Sequence, residues 1–161
     1  MKSSKTGKCG DLSLTAHLDL AASSTRMSGP ENRFYLKRFL RDLRGKVRMK
    51  AGQFPDRVTE DGYDAIRSFW EFDDRYTAPM HGFVDAADYY GRCSARHFVG
   101  GIRVPTLLVN ALDDPFLTAE CSPVEAARSN PDFFLERPAH GGHVGFVRFT
   151  KTGEYWSEER A

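Results

Sequence analysis

Ile102-Arg-Val-Pro-Thr-Leu-Leu-Val-Asn-Ala-Leu-Asp-Asp-Pro-Phe116, answered further along by His140-Gly-Gly-His-Val-Gly-Phe146, decides how this chain reads. Val104 and Leu107 to Val109 form a short continuous apolar run bounded by turn signals, the pattern of a strand buried on both faces of a parallel sheet. In an open α/β sheet, ligands and reactive side chains gather beyond the carboxyl ends of the strands, which is where Asp113 and Asp114 fall. Phe133-Phe134-Leu135 reads as the next strand. After Pro138 comes a glycine-containing loop with His143, so a carboxylate and an imidazole emerge at one sheet edge.

That pair does one physical job well. A carboxylate accepts the Nδ1 proton of imidazole, fixes its tautomer, and stabilises the imidazolium formed when Nε2 takes a proton from a nucleophile. His143 is the candidate base, because Gly141 and Gly142 permit a tight path and Val144, Gly145 and Phe146 anchor the loop. One residue of register decides which of Asp113 and Asp114 turns inward, and a helix-capping turn is the plain structural alternative for Asp-Asp-Pro. The 29 residues from Asp114 to His143 leave room for one helix and one strand. A metal pair of His140 and His143 lacks an evident third ligand, so neither metal nor cofactor is expected.

Leu112-Asp-Asp-Pro-Phe116 with His140-Gly-Gly-His-Val-Gly-Phe146 resembles the YheT-like branch of the α/β-hydrolases. Phe72-Asp-Asp-Arg-Tyr-Thr-Ala-Pro-Met-His-Gly-Phe83, Asp88-Tyr-Tyr90 and Ser94-Ala95 share that pattern, so the resemblance covers most of residues 13–146. It implies an α/β chain with a partial α/β-hydrolase fold: three parallel strands from one end of the sheet, flanking helices, and a helical cap-like segment within residues 21–100 of a domain over 13–161. It also implies Asp114 as the acid and His143 as the base of a Ser-Asp-His triad that cleaves carboxylic esters with acyl or lipid-like groups. No Gly-x-Ser-x-Gly occurs in residues 1–161. The expectation is therefore the C-terminal part of a serine hydrolase, inactive and association-prone alone, completed by a missing N-terminal portion or a partner chain. The alternative is a non-catalytic truncated hydrolase serving as a binding or assembly module. Gly91-Arg-Cys-Ser-Ala95 imitates a nucleophile elbow, but the residues before it read as a helix, and Cys93 is taken as an ordinary buried thiol.

Composition narrows the rest. With 161 residues, 40% of them hydrophobic, the chain holds one core; its net charge of +1 provides no global pull toward nucleic acid or membrane. Three cysteines without metal spacing, no long apolar run and no signal-type segment make a reducing, cytoplasmic setting the default. Residues 1–12 read as a polar, disordered lead, and Leu14 to Leu18 as a first strand with His17 as a structural residue inside it. Pro30 begins a helix whose apolar stripe includes Phe34, Leu40, Leu43 and Val47. Its other face carries Arg33, Lys37, Arg38, Arg41, Arg44, Lys46, Arg48 and Lys50. A solvated face is the first reading there and an anionic lipid or nucleic-acid surface the second; no nucleic-acid partner is expected. Thr59 opens a helix through Phe72, Asp73-Asp-Arg75 and His81 lie in the loop after it, and further helices are expected at 84–90, 119–128 and from Gly153.

Overall fold

The computed structural model describes residues 11–146. They form two compact units: one takes the described residues up to Leu18 and those from Ala95 onward, the other Asp19–Ser94.

The first unit is built on a parallel sheet of order β1-β2-β3, with β1 at Asp11–Leu14, β2 at Thr106–Val109 and β3 at Phe133–Glu136. Leu12 is level with Leu107, and Leu107 with Phe134, so all three strands end at one edge. Three parallel strands are what the apolar runs predict, but β1 lies earlier than expected. It takes in Asp11 and Leu12 from the supposed polar lead, whose residues 1–10 lie outside the described part, as does the helix expected from Gly153. The strand ends where Thr15 turns to a left-handed φ of 57°, so His17 belongs to the loop beyond β1. Val104, expected within β2, precedes it and is exposed.

The buried Asn110 takes over where the β1 ladder stops. Its Oδ1 accepts the Ala16 N–H at 3.0 Å, and its Nδ2 donates to Ala16 O at 3.2 Å and to Cys121 O at 2.8 Å. One amide thus fastens three segments below the sheet edge. Asn110→Ala removes these three hydrogen bonds, and a loss of about 2–4 kcal/mol is expected, read as a lower urea midpoint of the chain. Leu18, Val99, Leu108 and Phe133 fill one core of this unit. Val109, Ala111 and Phe146 fill another beneath the His143 loop. The helix expected over 119–128 is shorter, α6 at Val124–Ser129, because Pro123 separates it from a 3-10 turn at Ala119–Cys121.

The second unit is helical. Helix α1, Leu20–Met27, is capped by Asp19, whose carboxylate accepts the Ala22 N–H at 3.0 Å. Helix α2 runs Arg33–Gln53 and packs Leu40, Leu43 and Val47 against Val58, Tyr63, Ile66, Phe72 and Tyr76. Phe34, placed on the apolar stripe by its spacing, is in fact 81% exposed. No helix opens at Thr59: the chain turns at Gly62, φ 69°, and α3, Phe69–Phe72, starts under a Ser68 cap. It continues through a π-helical turn at Asp73–Thr77 into α4, Ala78–Met80, so Asp73-Asp-Arg75 are helical rather than in a loop. Hydrogen bonding explains this: Asp73 accepts from the Tyr90 hydroxyl at 2.5 Å and from Thr77, and Asp74 accepts the Ala86 N–H at 3.0 Å. Helix α5, Ala86–Cys93, carries Cys93 at its last turn. That thiol is exposed rather than buried, and no strand leads into it, so it forms no elbow; Cys121 is the buried one.

Candidate active site

The site assembles where β2 and β3 end. Beyond Val109 the chain runs through Asn110 and Ala111 into a turn, and the Leu112 N–H donates to Pro138 O at 2.9 Å, tying the two strand exits together. Pro115 has no N–H, so the Asp114 carboxylate reaches past it: Oδ1 accepts the Phe116 N–H at 2.8 Å. This fixes the side chain, which is wholly buried, and points Oδ2 at His143 Nδ1, 3.0 Å away.

Asp113 faces the same loop but does a different job. Its Oδ1 accepts the Gly142 N–H at 2.8 Å, and its Oδ2 lies 3.4 Å from Nδ1 of the exposed His140. The Gly142 N–H, then the His140 contact, hold its carboxyl below the usual range. The register left open in the sequence thus resolves into two roles: Asp114 contacts the half-buried imidazole and Asp113 props the loop backbone.

Glycines make the loop possible. A Cβ on Gly141 would stand 2.6 Å from the Phe146 ring and 2.9 Å from Ala111 Cβ, while Gly142 has a φ of 58°. Phe146 itself sits at φ 41°, buried, its N–H on Gly141 O at 3.0 Å. Thr15, just beyond β1, closes the loop, its hydroxyl donating to His143 O.

Around the imidazole, the Phe116 ring stands edge-on at 4.9 Å and the His17 ring lies 5.3 Å away. His17, read from the sequence as strand-interior, is a wall of the site. Burial, then the neighbouring His143, lowers its pKa below 6.5, and Asp114 opposes this only in part. The unfolded chain therefore binds this proton first on acidification, and stability falls with pH below about 6.5 toward the folded pKa. His17→Gln is expected to flatten that part of the pH dependence of the urea midpoint. Among the described residues no cluster of three or more His, Cys, Asp or Glu side chains is placed to hold a metal ion.

No family profile matches the chain, and no solved structure matches it. Curated relatives do. The esterase-type protein YheT of Escherichia coli (strain K12) is 33% identical over 150 residues, 91% of this chain and 44% of its own length. Phospholipase ABHD3 of Mus musculus is 34% identical over 65% of this chain and 26% of its own length. Monoacylglycerol lipase of Saccharomyces cerevisiae is 34% identical over 63% of this chain and 22% of its own length. The chain thus spans less than half the length of each of these.

Proposed function

Because the chain belongs to the YheT-like α/β-hydrolases, we propose that Asp114 and His143 are the acid and the base of a carboxylic ester hydrolase acting on acyl or lipid-like substrates. The observation that carries this is the 3.0 Å contact between the buried Asp114 Oδ2 and His143 Nδ1 beyond the strand ends. Relatives named as an esterase, a phospholipase and a monoacylglycerol lipase support the substrate class.

In this reading Asp114 holds the proton on Nδ1, which leaves Nε2 with its lone pair. Nε2 takes the proton of a serine hydroxyl as the serine oxygen attacks the ester carbonyl; the imidazolium then gives that proton to the leaving alcohol. A water repeats the sequence and releases the acid, restoring serine and neutral His143. Burial of the carboxylate strengthens its hold on the imidazolium. Residues 1–161 hold no Gly-x-Ser-x-Gly, so this reading assigns the serine to a segment or chain other than these residues.

The test is a chimera in which residues 11–146 replace the matching segment of the Escherichia coli relative. Turnover of p-nitrophenyl esters, with labelling by a fluorophosphonate probe, is the expected result. A folded chimera that neither labels nor turns over would favour a binding or assembly module instead.

A further inference from the structure

Helix α2 carries eight Lys and Arg and a single acid, Asp42. The fold uses two of these cations internally. Arg44 and Arg48 both bond Glu60, Arg44 also bonds Asp64, and the paired guanidinium groups pull the Glu60 carboxyl down to about 2. Of the remaining cations, Arg41 and Arg38 lie 3.3 and 3.9 Å from the exposed Asp42 carboxylate on the same helix, a solvent-facing pairing that phosphates can replace. At 100° per residue, Phe34, Lys37, Arg38, Arg41, Gly45 and Met49 share roughly a third of the helix circumference, and all six are exposed. Phe34 is 81% and Met49 58% exposed, one at each end of a strip whose middle is basic. A Cβ on Gly45 would touch nothing within 4 Å, so the strip is open along its centre. It is not the core face, because Leu40, Leu43 and Val47 occupy that side. Beside Lys37 and Arg41 it borders a groove of about 410 Å³ with Leu36, Leu40 and Ile66 in its lining.

We propose that this strip of α2 docks on an anionic lipid bilayer, with Phe34 among the acyl chains and Lys37, Arg38 and Arg41 on the phosphates. Exposed apolar side chains beside cations supply the two attractions that hold a protein surface on a bilayer, burial of apolar area and attraction to anionic lipids. A nucleic acid would reward the cations but has no use for Met49. Each cation near an anionic leaflet strengthens partitioning about fivefold, and Asp42 is the one acid of α2 set against them. Binding here is independent of the hydrolase reading, since neither Asp114 nor His143 takes part.

Flotation of the full 161-residue chain with liposomes tests it. Recovery with vesicles of equal phosphatidylglycerol and phosphatidylcholine is expected, with little on pure phosphatidylcholine and a severalfold loss between ~50 and ~200 mM salt. The double change Lys37→Glu and Arg41→Glu is expected to lower partitioning more than tenfold, and Phe34→Ser severalfold. If the double variant loses its helical circular dichroism, Phe34→Ser alone decides, because an 81% exposed ring contributes little to folding. Equal recovery on neutral vesicles, variants that float like the parent, or tighter retention by an oligonucleotide than by vesicles would each overturn the proposal.

Discussion

His143→Ala in the chimera that supplies a serine is expected to lower kcat by about 10⁶, and Asp114→Asn by about 10⁴. The two effects share a cause. Without His143 no group takes the serine proton; with an amide at 114, the partner of Nδ1 can present N–H instead of accepting, and the imidazole is turned toward the wrong tautomer. The buried environment magnifies this, since Asp114 is fully covered and its other oxygen is already committed to the Phe116 N–H. Asp113→Asn and His140→Ala should cost far less, about tenfold at most, because these residues support the loop from its solvent side. Burst kinetics with p-nitrophenyl esters separate the acylation step, where His143 acts first, from simple loss of binding.

Phe146→Ala is expected to cost about 3–5 kcal/mol, the range for emptying an aromatic site in a core. Phe146 is buried with Val109 and Ala111, and its ring fills the space that a Gly141 side chain would need. Removing it opens a cavity under the loop that carries His143, so the variant should lose both thermal stability and the Asp114–His143 contact. Tm measured beside the His143 imidazole resonances would show the two fall together. A melting point unchanged from the parent would mean that the loop is held by Thr15 and Asp113 alone.

Continuous apolar runs made β2 and β3 legible, although of the β3 run only Phe133 is buried and Phe134 is 52% exposed. That Asp114 and His143 would emerge at one sheet edge was legible through their placement past those runs. β1 was not, since Asp11 and Ser13 interrupt its hydropathy, and its end is set by the left-handed Thr15 and by the distant Asn110 side chain. The nearness of His17 to His143 follows from that same turn, which no local pattern announces. In the helical unit, acidic residues after Thr59 looked like a helix start. Glu60 is instead drawn to Arg44 and Arg48, and the chain turns at Gly62. Asp73 and Asp74 looked like loop residues because their partners, Tyr90 and the Ala86 N–H, lie 17 and 12 residues away.

The 161-residue chain itself offers the most direct test of the acid–base pair, because it needs no serine. Nitrogen-15 shifts of the neutral His143 ring report which nitrogen holds the proton. A protonated Nδ1 and a bare Nε2 are expected, with the Nδ1 proton signal lost in Asp114→Ala and kept in Asp113→Ala. A proton on Nε2, or an Nδ1 signal indifferent to Asp114→Ala, would contradict that pairing.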